Sequence, residues 1–255
     1  MSKLKTALLC SVFISSPLAT LSIENPIGSI VGVGAGVTTE YLGSKETYAG
    51  LAPGARVEVG DKVVELYGTY AALNFSPHTE WEYGIATNLK LGRESFVDGQ
   101  IGEVHELGYG VDTGVFFGHQ RLNTDSPIPY YVRRGVTVLS GETGFGDTKG
   151  TSIEFHQNQW IPLSMNTAIG IGFGAVWSDS RHNTHYYGTG EEHIGSDWRQ
   201  LYAWPVIIHK LNDSVYIGAG AYIQKVIGTA ADSKLVSEIG DDLSISYGAG
   251  LGWTF

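Results

Sequence analysis

The chain closes on Leu243-Ser-Ile-Ser-Tyr-Gly-Ala-Gly-Leu-Gly-Trp-Thr-Phe255, and the reading of this stretch decides the fold. Its odd positions, Leu243, Ile245, Tyr247, Ala249, Leu251, Trp253 and Phe255, are all apolar or aromatic. Its even positions, Ser244, Ser246, Gly248, Gly250, Gly252 and Thr254, are all small or weakly polar. A period of two marks a strand with one apolar face and one small, wettable face. A strand of about ten residues with an aromatic near its end fits a tilted bilayer crossing. The last strand of a soluble sandwich is the alternative that the rest of the chain must decide against.

Composition agrees with all-β structure. Of 255 residues, 42% are hydrophobic, yet 35 are Gly and 14 are Tyr. A chain rich in Gly and aromatics without being rich in Leu suits strands better than helix bundles. No run of about eighteen apolar residues is present, so no spanning helix is expected. The formal charge of −10 argues against nucleic acid and against polybasic docking to a membrane. The N-terminus reads as an export signal, with Lys3 and Lys5 before an apolar stretch from Thr6 to Ser16. Cleavage is expected after Ala19 or Ser22, which makes residues 1–22 the signal and 23–255 the barrel. Either cut removes Cys10 and two lysines, so the mature charge is −12 (14 basic, 26 acidic) and no disulfide frame is expected.

Strand-like segments follow one another along the whole remaining chain. Ser29 to Thr38 alternates Val31, Val33, Ala35 and Val37 against glycines, and Ala49 to Val59 returns to the turn Gly60-Asp61. Val63 to Phe75 reads as one strand, Trp81 to Leu91 as another, and the acidic stretch 93–106 as a loop. Leu107 to Phe117 and Pro127 to Leu139 come next, followed by a Gly-rich loop from Gly141 to Gly150. Thr151 to Asn158 reads as a short strand, Gln159-Trp160 as a turn, and Ile161 to Trp177 as the clearest alternation in the chain. Ser178 to Asp197 is the longest loop. Leu201 to Lys210 and Val215 to Ile227 then pair across Leu211 to Ser214.

About eleven segments with alternating short and long connections predict a transmembrane antiparallel β-barrel. Even strand numbers are the rule, so twelve strands are expected, with ten as the alternative. Closure is required because a lipid-exposed sheet edge would leave backbone groups unpaired. Glycine-rich faces should point inward, and Trp81, Trp177, Trp253 and Phe255 should mark the aromatic girdles. Arg134 breaks the pattern, since it falls in register with Tyr130, Val132, Val136 and Val138. A bulge at Arg134, or a place near the membrane boundary, would accommodate it.

The search for chemistry finds little. Asp179, His182, His185, Glu191, Glu192, His193 and Asp197 crowd one loop, and His at i and i+3 could ligate a metal. A hydrated loop is the simpler account, since Gly188, Gly190 and Gly195 interrupt it. Glu154 and His156 share a strand face and could form an acid–base pair, although a polar lumen lining explains them as well. No phosphate loop and no serine-hydrolase elbow is present. No cofactor and no catalytic residue is expected.

Several short stretches, in order, resemble the MipA/OmpV family of outer-membrane proteins. They are Gly32-x-Gly34 with Glu40-Tyr-Leu-Gly-Ser44, Arg56-Val-Glu-Val-Gly-Asp-Lys62, Leu89-Lys-Leu-Gly-Arg93 and Gly228-Thr-Ala-Ala-Asp-Ser233. The resemblance implies a non-enzymatic barrel in the outer membrane. In one branch of the family it implies a scaffold that holds a membrane-bound lytic transglycosylase and a bifunctional penicillin-binding synthase. No site residue carries over. The terminal phenylalanine also resembles the signature by which such barrels reach the barrel assembly machinery, with Tyr247, Leu251, Trp253 and Phe255 as the signal. Outer-membrane lipid is the remaining partner expected. If short turns face the periplasm, Trp160 is the best anchor for an enzyme there, or else a girdle residue. A small-solute channel is the alternative function, and an outer-membrane hydrolase a third.

Overall fold

The computed structural model describes residues 29–93, 106–126 and 128–255. The expected signal segment 1–22, most of the acidic stretch 93–106 and Pro127 lie outside the described residues. Twelve antiparallel strands form a closed barrel in which β1 pairs with both β2 and β12. The strands are β1 (Ile30–Thr39), β2 (Thr47–Val59), β3 (Lys62–Tyr67), β4 (Tyr70–Asn74), β5 (Trp81–Lys90) and β6 (Gly110–Asn123). They continue with β7 (Tyr130–Gly146), β8 (Thr151–Ser164), β9 (Thr167–Ser178), β10 (Asp197–Lys210), β11 (Val215–Val226) and β12 (Leu243–Thr254). The even count of twelve agrees with the expectation.

Several boundaries differ from the sequence reading, β6 and β10 being longer than expected, and three of the differences have a clear local reason. The segment Val63 to Phe75 is two strands, because Gly68 takes a φ of 59° and turns the chain between Tyr67 and Tyr70. Positive φ is open to glycine at little steric cost, which makes it the hairpin residue here. The loop from Gly141 is shorter than expected. β7 runs on to Gly146, pairing with Gly110 of β6 past a register shift between Val111 and Thr113.

The third correction concerns Gln159-Trp160, which is no turn. Both residues lie inside β8, and the chain reverses at Met165-Asn166 instead. A two-residue hairpin ordinarily reverses the odd–even parity of the faces. Here the register shifts between Pro162, opposite Ala168, and Ser164, opposite Thr167. That irregularity cancels the reversal, so the alternation from Ile161 to Trp177 passes through the turn unbroken.

The faces are sorted as the alternation requires. Ile171 and Phe173 stand outward and exposed, while Gly170 and Gly172 face a filled lumen. A Cβ on Gly172 would lie 2.1 Å from Trp204 Cε2, so the glycine is there to admit an indole. Outward Trp81 stacks on Phe117 at 5.3 Å between centroids, in keeping with a girdle near the β5 end. At the opposite, long-loop end, α1 (Ser180–Tyr187), α2 (Gly228–Ala231) and a π-helical turn (Leu235–Ile239) cap the mouth. Tyr187, Ile194, Val226, Ala230 and Val236 bury together there, with Leu42 packed against them.

The two faces should therefore respond oppositely to size and charge. Ile171→Arg is expected to cost about 2–4 kcal/mol if it lies near the bilayer midplane. Gly172→Val should cost about 1–3 kcal/mol by overpacking against Trp204, whereas Ile171→Val should be nearly silent. Urea midpoints for refolding into lipid vesicles check the ranking. A Gly172→Val barrel as stable as the parent would reverse the assignment of the faces.

Candidate functional site

The lumen is divided into two halves by what the strands project into it. Toward the short-turn end, Trp160, Ala168, Trp204, Val206 and Ile208 bury together, with Tyr131 and Tyr222 packed against the cluster. Trp160 is 2% exposed and its ring lies 6.2 Å from that of Trp204. These residues come from β8, β9 and β10, and they lean across toward the glycine wall of β1, β11 and β12. The wall supplies Gly32, Gly34, Gly218, Gly220, Gly250 and Gly252, which leave room for rings from the other side. Bulky side chains of β8 and β10, with Tyr216 of β11, narrow the interior and leave a cavity of about 80 Å³ against the glycines. This is a plug.

Toward the long-loop end the lumen opens into a polar chamber of about 350 Å³. Its floor is a charged latch. Arg133 on β7 donates from Nε to Glu82 Oε1 at 2.5 Å and from Nη2 to Glu65 Oε2 at 3.2 Å. Asn74 on β4 donates to the other Glu82 oxygen at 2.9 Å. One guanidinium thus ties β3, β4, β5 and β7 together, and two carboxylates against one cation keep the site hydrogen-bonded on every side. Above it, the Tyr202 hydroxyl donates to Glu154, whose Oε1 lies 3.9 Å from His156 Nδ1. The suspected acid–base pair is thus in reach across one strand face, yet at a distance too long for a hydrogen bond. Lys90 pairs with Asp112 at 3.3 Å, and Arg199 donates to Ser178, Tyr187 and Gln200. The chamber's cations are thus paired, while Tyr67 Oη, Asn158 Oδ1 and both His182 ring nitrogens lie buried without a hydrogen-bond partner among the described residues.

The crowded loop after β9 contains a helix, α1, where a hydrated loop was expected. Asp179 caps α1 by accepting from the His182 amide at 2.8 Å, and the Gly188 amide closes the helix on Thr184 O at 3.0 Å. Helix α1 turns His182 inward, 3% exposed, with its ring 4.4 Å from that of Tyr186. His185 Nε2 instead reaches Asp147 Oδ1 at 3.3 Å, and Glu192 accepts from the Thr189 hydroxyl. The suspected ligands are dispersed to separate partners. Among the described residues no group of three or more His, Cys, Asp or Glu converges as a metal site would require. From the sequence, Tyr216 and Tyr222 are readable as inward aromatics that could fill the lumen, but the paired indoles of Trp160 and Trp204 and the inward histidine have no local signal.

The short-turn rim is the other exposed surface of note. Met165, at the reversal between β8 and β9, is 91% exposed, and Leu163, Leu211 and Phe255 stand exposed around it. The neighbouring turns are stitched together, since Lys210 donates its amide to Asn166 O and Thr254 donates to Ser214 O. An apolar tip on a braced turn is a presented side chain.

Burial holds the His182 imidazole well below its ordinary value, and Arg199, Lys90 and His185 push the same way. An unfolded histidine takes up its proton near pH 6.5 while this one stays neutral, so the buried state is favoured at neutral pH and weakened as pH falls. Amide protection factors across α1 are expected to drop between about pH 7.5 and about pH 5. His182→Gln should flatten most of that dependence. An unchanged profile in the variant would assign the effect to other groups.

Comparison with known proteins gives three results. No curated protein matches the sequence. Among solved structures, the chain resembles the outer membrane channel DcaP of Acinetobacter baumannii at 9% identity, covering 89% of this chain and 96% of that one, with a TM-score of 0.42. It also resembles OmpT of Vibrio cholerae, at 9% identity, 90% and 98% coverage and a TM-score of 0.32. The CymD monoaromatic hydrocarbon channel matches at 8% identity, 91% and 90% coverage and 0.33. Superpositions this loose carry no argument. The third result is a family model described as MltA-interacting protein MipA, which matches residues 31–255. The match runs from the first strand to the last residue, and so the chain belongs to the MipA family.

Proposed function

We propose that this protein is a non-enzymatic scaffold of the outer membrane that works from its short-turn end, on the periplasmic side. Its partners there are enzymes that cut and build murein. The observation that carries the reading is the plug: Trp160, Trp204, Val206 and Ile208 fill the lumen below the charged latch. A filled lumen argues against a through-path for solutes and shifts the function to the surface. The family description supports the partner class, since it names interaction with MltA, a lytic transglycosylase. A bifunctional penicillin-binding synthase is the second partner of the proposed assembly. Trp160 is not available as the anchor, because it is buried in the plug. Met165 and Leu211 take its place as presented apolar tips, and a transient contact of about 1,200 Å² or less needs few such residues.

The chain's end belongs to the same proposal. Tyr247, Leu251 and Trp253 stand on the outward face of β12, and Phe255 beyond it is 76% exposed. They form an accessible apolar row suited to capture by the barrel assembly machinery during insertion.

Planar-bilayer recordings of the purified protein should give no stable conductance. Shortening both Trp160 and Trp204 to Ala is expected to produce channels, which also proves insertion. Immobilised protein should retain a lytic transglycosylase from a membrane extract, and Met165→Asp with Leu211→Asp should reduce the retained amount about ten-fold. Robust parental conductance with an empty pull-down would replace the scaffold by a channel.

A separate measurement tests the terminus. Phe255→Asp, or deletion of Phe255, is expected to leave most of the protein unassembled, read as loss of the heat-modifiable band in outer-membrane fractions. A normal band from the variant would remove these residues from the assembly step.

A further inference from the structure

Among the described residues, the outward wall of the barrel carries a polar island across β6, β7 and β8. Arg134 on β7 lies opposite His119 on β6 and Gln157 on β8, and the neighbouring Val132 lies opposite Arg121 and Gln159. The bulge expected at Arg134 is absent. β6 and β7 keep continuous register from Thr113–Ser140 to Asn123–Tyr130, so Arg133 enters the lumen and Arg134 points out. Nor does a protein carboxylate neutralise the pair, since among the described residues neither Arg121 nor Arg134 makes a salt bridge. The carboxylate at the island is Glu80, 3.9 Å from His119 Nε2 and 70% exposed.

The surroundings of the island are aromatic. Trp81 meets the His119 ring edge-on at 4.8 Å and stacks on Phe117, and Phe155 and Phe173 stand exposed on the other side. A groove between the two aromatic pairs runs over Arg134, Gly135 and Gln157. Arg134 is four residues above Tyr130, where β7 begins. At about 3.3 Å per residue and a tilt of about 40°, that is about 10 Å above the short-turn end of the strand. An arginine at that depth reaches the headgroup layer by extending its stem. A cation kept on a lipid-facing wall marks a site whose counter-charge comes from outside the protein.

We propose that Arg121, Arg134 and His119, with the groove between Trp81–Phe117 and Phe155–Phe173, bind one anionic phospholipid of the leaflet at the short-turn end. The phosphate accepts from the two guanidinium groups, which offer forked donors suited to it, and an acyl chain lies along the groove. A second copy of this chain fits poorly, since a two-fold contact would set these cations against themselves. The inference takes its choice of leaflet from the orientation proposed above. Lipid selectivity in detergent does not depend on any murein partner, so the two readings fail separately.

The test is native mass spectrometry of the detergent-purified barrel, titrated with dioleoyl phosphatidylglycerol or with dioleoyl phosphatidylcholine. Phosphatidylglycerol adducts are expected to exceed phosphatidylcholine adducts by about ten-fold. Arg121→Gln with Arg134→Gln should bring the two lipids level, with the heat-modifiable band intact. Arg181→Gln, in the cap, should change nothing. Equal adducts on the parent protein need no variant to read and would overturn the proposal. Undiminished selectivity in the double variant, displacement by lipopolysaccharide in preference to phosphatidylglycerol, or dimers that vanish in the double variant would overturn it too.

Discussion

Everything in this molecule depends on closing the hydrogen-bond ladder. In hydrocarbon an unpaired backbone amide or carbonyl finds no water, so the sheet must have no edge. The ladder closes where β1 meets β12, from Ile30 opposite Thr254 to Val37 opposite Tyr247. The lumen side of this seam is Gly32, Gly34 and Gly36 facing Gly252, Gly250 and Gly248. A Cβ on Gly36 would sit 2.5 Å from Tyr247 O, and one on Gly32 would sit 2.7 Å from Leu251 O. The approach of the two strands thus requires glycine at both positions.

Closure creates an interior that must be filled, and the filling decides what the barrel can do. A twelve-stranded wall encloses more space than one layer of side chains covers. Gly170 and Gly172 of β9 concede room to the rings of Trp160 and Trp204, which cover them from β8 and β10. The upper half is filled differently. Arg133 spends its donors on Glu65 and Glu82, and Arg199 spends its own on neutral oxygens. Such networks are weak evidence for stability, because desolvation offsets much of the attraction. They do fix geometry: the short strands β3 and β4, with few ladder bonds of their own, are held through Glu65 and Asn74.

The sequence carried the fold because the membrane makes period two obligatory. Outward positions must be apolar along every strand, so alternation and strand count were legible. Turns were harder. Gly68 sits in a strand-like run, and a glycine there is equally a lumen residue until its φ is known. The reversal at Met165-Asn166 was hidden, because the irregularity before it restored the parity that a turn would have broken. Lumen aromatics were legible in part, at Tyr216 and Tyr222, but the meeting of Trp160 and Trp204 was not, since they come from two strands separated by β9. His182 read as one of many loop histidines until α1 formed and chose its face. Arg134 was visible as an anomaly, and its meaning lay in the neighbours that register brought beside it.

The smooth seam has a consequence for the order of assembly. The plug hangs from β8, β9 and β10, neighbouring strands whose two indoles meet over Gly170 and Gly172 of β9. β1 and β12 are separated by almost the whole chain, and their pairing closes the largest loop the molecule has, at the greatest entropic cost. No side chain bulkier than Ser or Thr need pass between Gly32 and Gly36 on β1 and their partners on β12. The two ends can therefore zip last, around an interior already packed, with nothing to thread and nothing to displace. A cylinder whose contents are hung on one wall, and whose joint lies in the bare wall opposite, can be filled before it is shut.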